Sequence, residues 1–279
     1  MRISRRAFIQ GTVGASLVAG VAYPTLLEPF QVAVESIQIP LAGLPAAFAG
    51  FKIVQLSDLH FQPFTTLRQI AHVVDITNTL DADLVVITGD FITLGSNSIE
   101  ALAPVLGKLR ARYGIAGVLG NHDQVSGSDQ IATTLNKSRI EILRNYGRTI
   151  THQGARIYLA GIDSVCEECQ DLTLALAHRP PGLTTILLAH EPDFADLIPA
   201  AAQVALQLSG HSHGGQICLP FAKPLILPEW GRKYWRGLRQ VGSTLVYTNR
   251  GIGTSHLPAR FGSVPEITRI TLQVASPTS

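Results

Sequence analysis

Charge is scarce in this sequence. Asp, Glu, Lys and Arg make up 15% of its 279 residues and nearly cancel, to a formal net charge of +2. So small a balance offers no field to hold nucleic acid, and no extended basic stripe accompanies the aromatic residues, so no nucleic-acid partner is expected. Cysteine is scarcer still: three residues cannot make a disulfide scaffold. Internal repeats and low-complexity tracts are missing, which removes solenoids and linkers from consideration. What is abundant is apolar. Hydrophobic residues reach 46% and the mean hydropathy is +0.23, which excludes a disordered chain. The length suits one large domain or two small ones. Sixteen prolines and 25 glycines imply many turns rather than a long helical bundle.

The first six residues, Met1 to Arg6, carry three arginines and no acid, and Ala7 to Leu27 carry no charge at all. This is a basic segment followed by an apolar one, the layout of an export signal. Gln10, Gly11, Thr12, Gly14, Ser16 and Gly20 dilute the stretch, and a spanning helix usually needs about 20 mostly apolar residues. Ser4-Arg5-Arg6-Ala7-Phe8-Ile9 is similar to the twin-arginine export motif. Residues 1–27 are therefore expected to be a twin-arginine-type signal or a retained membrane anchor. The export machinery is then a partner, and the protein is expected to be exported across the cytoplasmic membrane or anchored to it, on the periplasmic or extracytoplasmic face. An ordinary secretory signal is the alternative.

Further along, residues 31–39 alternate in part and predict a strand, and 40–50 read as a connector. Strands are expected at 51–56, 84–87 and 115–119, with helices at 66–80, 98–111 and 128–137 between or after them. Later strands are expected at 156–160, 184–189, 204–208, 244–248 and 266–274. The first half alternates strand and helix and the last third is rich in strands, which suggests a layered α/β domain with mixed sheets. The division read from this is 1–27 for the leader, 28–50 for a leading strand and connector, and 51–275 for the main domain.

Polar residues cluster where the strands end: Asp58 and His60, then Asp90, then Asn121, His122 and Asp123, then His190, then His211 and His213. In open α/β sheets sites form beyond the carboxyl ends of strands, so five such endings converge on one place. Each alone is ambiguous. Gly-Asp is common by chance, and a lone His190 reads equally as a hydrogen-bonded core histidine. The ordered set is far more specific.

Asp58-Leu59-His60, Gly89-Asp90, Gly120-Asn121-His122-Asp123, His190 and Gly210-His211-Ser212-His213 resemble, in order, the five motifs of the calcineurin-like metallophosphoesterase family. The resemblance runs from about residue 51 to 275. LLAHEPD at 187–193 and SGHSHGGQ at 209–216 are similar to the exported or membrane-bound bacterial phosphodiesterases of that family. It implies an α/β fold, a four-layer αββα sandwich of two mixed β-sheets flanked by helices. It also implies two divalent metal ions, Mn²⁺ or an Fe/Zn pair, joined by the Asp90 carboxylate. Asp58, His60 and His213 would complete one metal site, and Asn121, His190 and His211 the other. Such a mixed nitrogen and oxygen donor set without thiolate suits these cations and disfavours Ca²⁺ or Cu⁺. Two cations clamp a phosphoryl centre and acidify a bridging water, which would attack phosphorus in line. The family pattern makes His122 the residue facing the leaving oxygen. Asp123 would orient that imidazole, or merely cap the loop that follows.

Residues 228–239 combine cations with aromatics. Arg232, Lys233 and Arg236 are read as gathering phosphate oxygens, with Tyr234 and Trp235 free to stack on a base or sugar or to sit at a bilayer surface. A solvated basic loop is the plainer reading. The preceding apolar stretch, 219–227, could accept acyl chains, touch the membrane, or serve as core. Cys166 and Cys169 form a CxxC that could close a small disulfide in an oxidising compartment. His72, His152 and His178 are assigned no ligand role, whereas His256 could line the cleft. The leading expectation is a phosphodiesterase at the cell envelope acting on a phosphate ester, lipid- or sugar-linked. Alternatives are an exported phosphomonoesterase, a pyrophosphohydrolase of an acylated sugar nucleotide of the lipid A type, and a metal-binding scaffold without activity.

Overall fold

Alternation in the strands decides the layering. In the computed structural model, which describes residues 21–224 and 226–275, Leu84 and Val86 of one strand face one apolar core while Val85 and Ile87 face another. A strand buried on both faces needs such a continuous apolar run. The strands are β1 (Ala33–Leu41), β2 (Lys52–Leu56), β3 (Leu84–Ile87), β4 (Ile115–Gly117), β5 (Ile140–Ile142), β6 (Tyr146–His152), β7 (Ala155–Gly161), β8 (Thr185–Leu188), β9 (Val204–Ser209), β10 (Gly237–Val241), β11 (Thr244–Thr248) and β12 (Glu266–Val274). They form two six-stranded sheets, ordered β1-β12-β2-β3-β4-β5 and β10-β11-β9-β8-β7-β6. Both are mixed: β2, β3, β4 and β5 run parallel, with β12 antiparallel to β2, and β7, β8, β9 and β11 run parallel between antiparallel β6 and β10.

Helices α1 (Leu67–Asn78), α2 (Ile99–Leu106) and α3 (Asn121–Lys137) cover the first sheet, and the short α4 (Leu172–Leu176) lies over the second. Helix α1 shows why the sequence starts one there. Thr66 accepts from the Gln69 backbone N–H while Gln69 Oε1 accepts from the Thr66 N–H, a capping box that ends two loose donors. Its buried Ile70, Val73, Val74 and Thr77 recur at helical spacing. Between the sheets, Ile53, Val86, Leu159, Ile186, Leu206 and Ile270 form the central core. The result is the four-layer arrangement expected from the resemblance.

Strand β1 pairs with β12 through nine residues in parallel register, from Ala33 opposite Glu266 to Leu41 opposite Val274, so the leading strand expected within 28–50 is an edge of the first sheet. Helix α3 starts seven residues earlier than its periodicity suggests and kinks at Gly127 (φ 115°). Strands β5, β6 and β10 and the short α4 are not among the expected elements, and β10 begins within the stretch read as a loop. The twin-arginine-like motif at 4–9 lies outside the described residues. Among the described residues no helix is long and apolar enough to cross a membrane.

Candidate metal centre and catalytic cavity

The carboxyl ends of β2, β3 and β4 and those of β8 and β9 lie at one end of the two facing sheets. Buried Gln55, just before that end, ties them together: its amide donates to Thr88 Oγ1 at 3.0 Å and to the Ser209 carbonyl at 2.9 Å, across to the other sheet. The loops that follow are forced into a small volume. A Cβ on Gly120 would overlap the Asp90 carboxylate, and one on Gly210 would overlap Asp58, so the glycines before Asn121 and His211 are required by close approach. Asp58, His60, Asp90, His211 and His213 all adopt left-handed backbone (φ 42–68°), a conformation such residues hold only when their surroundings impose it.

Seven predicted ligands meet here. His60 Nε2 stands 2.9 Å from His213 Nε2 and 3.3 Å from Asp90 Oδ2. His213 Nε2 is 3.4 Å from Asp58 Oδ1, and both Asp58 oxygens accept the His211 backbone N–H at 3.0 Å. On the other side, His190 Nε2 is 3.3 Å from the same Asp90 Oδ2. Asp58, His60 and His213 form one set able to hold a cation, and Asp90, His190 and His211 another.

Hydrogen positions support cations rather than mutual hydrogen bonds. A carbonyl only accepts, so a ring nitrogen bonded to one must carry the hydrogen. His190 Nδ1 lies 2.7 Å from the Thr88 carbonyl and His211 Nε2 2.7 Å from that of Glu229, so those nitrogens carry the hydrogens. The neutral rings then turn lone pairs toward each other, His190 Nε2 against His211 Nδ1 at 3.2 Å, with Asp90 alongside. Such an arrangement repels unless a proton or a metal ion lies within it. Asn121 Oδ1 is buried with no hydrogen-bond partner among the described residues, a lone pair left for the same purpose. The donor set therefore fits divalent cations.

Charge follows the same logic. Burial pushes the Asp90 carboxyl up, but the His190 and His60 rings prevail and hold it well below the usual carboxylate range. Burial would lower His190, yet the Asp90 charge outweighs it and raises His190 well above the ordinary imidazole value. Burial, with His190 beside it, lowers His211; burial, His60 and Arg260 lower His213 well below the ordinary value. Neutral imidazoles are what a metal takes.

His122 stands over this centre, its ring edge-on to His60 with centroids 4.8 Å apart. Its Nδ1 donates to the Thr93 carbonyl at 2.9 Å, which leaves Nε2 free. Asp123 does not orient it, which corrects the expectation. The Asp123 carboxylate accepts from the N–H groups of Phe91 and Gly120 at 3.0 Å and of Ile92 at 3.2 Å, so it caps the loops carrying Asp90 and Asn121. Burial and the nearby Asp90 charge push its carboxyl up to about 7.

Arg232, Lys233 and Arg236 are not brought to the cavity. Asp193 accepts the backbone N–H groups of Arg232, Lys233 and Tyr234, which curls this loop outward. Lys233 pairs with Asp196, and Arg236 lies over the Trp235 ring at 4.4 Å in a neighbouring hollow. Cys166 and Cys169 are free thiols, with Cys166 Sγ 3.8 Å from His211 Nε2.

Residues without a warning in the sequence brace the centre from behind. Arg260 is wholly buried, gives its guanidinium to the carbonyls of Gly253, Arg250 and Ser263, and reaches His213 Nδ1 at 3.4 Å. Ser263 Oγ donates to the His213 carbonyl at 2.7 Å, while the Ser263 N–H donates to Glu28 Oε1 at 2.8 Å. The Arg260 N–H donates to the Pro24 carbonyl at 2.8 Å.

Above the ligands opens a cavity of about 580 Å³. Its inner end is formed by His60, Asp90, Asn121, His122, His211 and His213, and its outer end by Ile217, Ile226, Pro228 and Leu257, with Ser255 and His256 between. His256, the one further histidine read as able to line the cleft, does so.

Residues 51–215 match the sequence profile of the family described as calcineurin-like phosphoesterase. The chain is 38% identical to the uncharacterised metallophosphoesterase YkuE of Bacillus subtilis, over 98% of each chain. It is 30% identical to the phosphodiesterase YaeI of Escherichia coli, over 97% of this chain and 99% of that one. Among solved structures, GAP50, described as the anchor in the inner membrane complex of Plasmodium, superposes with a TM-score of 0.50 at 14% identity, over 78% of this chain and 80% of that one; this shows a shared fold.

Proposed function

The chain belongs to the calcineurin-like phosphoesterase family, and from that premise we propose that it is a two-metal phosphodiesterase of the cell envelope. The observation that carries the reading is the Asp90 carboxylate oxygen shared at 3.3 Å by His60 and His190, with a separate ligand set on either side. Asp58, His60 and His213 would hold one cation, and Asn121, His190 and His211 the other, with Asp90 between. When bound, the cations, Mn²⁺ or an Fe/Zn pair, supply positive charge that draws a phosphate anion and acidity that makes water a nucleophile near neutral pH.

The chain's own groups do the rest. His122 is held by Thr93 through Nδ1 with Nε2 left for the cavity; in its imidazolium form it would give the Nε2 proton to the departing alkoxide and be left as the neutral ring. Its backbone N–H donates to Asp90 Oδ1 at 3.0 Å, which fixes the acid relative to the bridging carboxylate. Asp123 sets the two loops against each other. Among the described residues lining the cavity there is no Lys or Arg. A monoester dianion or the second phosphate of a pyrophosphate would find no cationic side chain, whereas a diester carries one negative charge. The name of the Escherichia coli relative, a phosphodiesterase, supports the same choice.

Manganese-loaded protein is expected to hydrolyse bis-p-nitrophenyl phosphate faster than p-nitrophenyl phosphate. Faster monoester turnover would replace the reading with a phosphomonoesterase, and no turnover with metal bound would leave a scaffold. The envelope location rests on Arg5 and Arg6 before the uncharged stretch to Leu27. Exchanging both arginines for lysine should stop export, as read by cell fractionation, and continued export would remove the twin-arginine route.

A further inference from the structure

The outer half of the cavity has no task in the chemistry above. It is apolar, and it is exposed where apolar side chains are costly: Ile226 is 81% and Leu257 55% accessible, yet both line the same cavity as the metal ligands. One wall is the short run Ser255-His256-Leu257. It contains no regular structure, and His256 sits in left-handed backbone (φ 62°). A single side chain holds this run in place. Gln216, three residues beyond His213, donates through Nε2 to the carbonyls of Ser255 at 3.0 Å and Leu257 at 3.2 Å, and its Oε1 accepts the Ser255 N–H at 3.1 Å. Three hydrogen bonds from one amide fix the backbone on both sides of His256. The Ser255 hydroxyl then engages His256 Nδ1 at 2.7 Å, and the ring stands 6.1 Å, centroid to centroid, from that of His122. The strap is thus built on the loop that supplies two metal ligands, and it places an apolar lip next to the residue over the leaving oxygen.

We propose that this lip, formed by Ile226 and Leu257 beside His256, is a subsite for the carbon body of an ester group, and that the substrate is a phosphodiester carrying a long alkyl or acyl-bearing alcohol. The proposal rests on the phosphodiesterase reading and deepens it. The cavity is continuous from the ligands to the lip, so a phosphate held at the inner end directs its ester substituent outward. Pocket volumes of about 300–1,000 Å³ hold molecules far larger than phosphate, and the 580 Å³ here leaves room for such a substituent. A hydrocarbon entering it covers the exposed Ile226 and Leu257, which is favourable in proportion to the apolar area taken from water.

The test is binding rather than turnover. Dimethylphosphinate and methyl(octyl)phosphinate, singly charged like a diester and with P–C bonds that resist hydrolysis, are titrated by calorimetry into the manganese-loaded full chain. Methyl(octyl)phosphinate is expected to bind at least about tenfold tighter, since each buried methylene contributes up to about 0.8 kcal/mol. The double variant Ile226→Ser, Leu257→Ser should bring the two ligands within about threefold while manganese content stays the same. Gln216→Ala should shrink the preference in the same direction by releasing the strap. Equal affinities in the unaltered protein, or a preference that survives the double variant, would overturn the subsite. Failure of both phosphinates to bind the metal-loaded protein would instead overturn the metal-centre reading on which it stands.

Discussion

Two groups of buried histidines lie at opposite ends of the strands, and they behave differently. His152 closes β6 opposite Ala155, at the far end of the second sheet from His190. Its Nδ1 meets the Tyr113 hydroxyl at 2.6 Å, and its ring packs on Phe48 and Phe51 with centroids 5.4 and 5.6 Å away. A hydroxyl can give or take a hydrogen, so that pair is complete as it stands. His190 and His211 have their outer nitrogens fixed by carbonyls and their inner lone pairs turned on each other. Burial is common to both groups; unmatched lone pairs are found at one. That distinction, rather than burial, marks the centre that calls for a cation.

The sharpest way to break the comparison is Asp90→Ala. It removes the oxygen common to both ligand sets, and turnover of bis-p-nitrophenyl phosphate is expected to fall by about a thousandfold or more, with loss of bound manganese by elemental analysis. Retained metal would contradict the shared-oxygen reading. His122→Ala should lower kcat by about a hundredfold with metal content unchanged; equal activity would remove its role as the acid. Manganese at a hundred times its dissociation constant should stabilise the fold by about 2.7 kcal/mol, seen as a raised melting temperature. That rise should vanish in Asp90→Ala and persist in His152→Phe. Least of all, His152→Phe should leave turnover unchanged and cost about 0.5–1.5 kcal/mol in denaturant unfolding, the worth of one hydrogen bond.

Much of this was legible because the centre is written at strand ends. Apolar runs such as Leu84 to Ile87 announce strands, and the polar residues just after them can only emerge at one end of a parallel sheet. Bracing by distant partners was not legible. Nothing about Gln216 or Arg260 in the sequence says which groups they will hold, since the bonds from Gln216 to Ser255 and from Arg260 to His213 join positions 39 and 47 residues apart with β10 and β11 between them. Asp123 was misread because adjacency in sequence suggested contact with His122, whereas the start of α3 turns the two side chains apart, one to the cavity and one to the N–H groups of the loop carrying Asp90. Arg232, Lys233 and Arg236 had the right chemistry for phosphate, but Asp193 curls their loop the other way. Strands β5 and β6 escaped notice because three residues, or a run half exposed to water, carry little periodic signal.

The contact between Glu28 and Ser263 has a practical side. Pro24 lies within the uncharged stretch that ends at Leu27 and Glu28 directly after it, yet both are keyed into the turn that steadies His213. Whoever trims the chain for expression should cut ahead of Tyr23; a start at Gln31 would discard the keystone and hand the crystallographer a loosened active site.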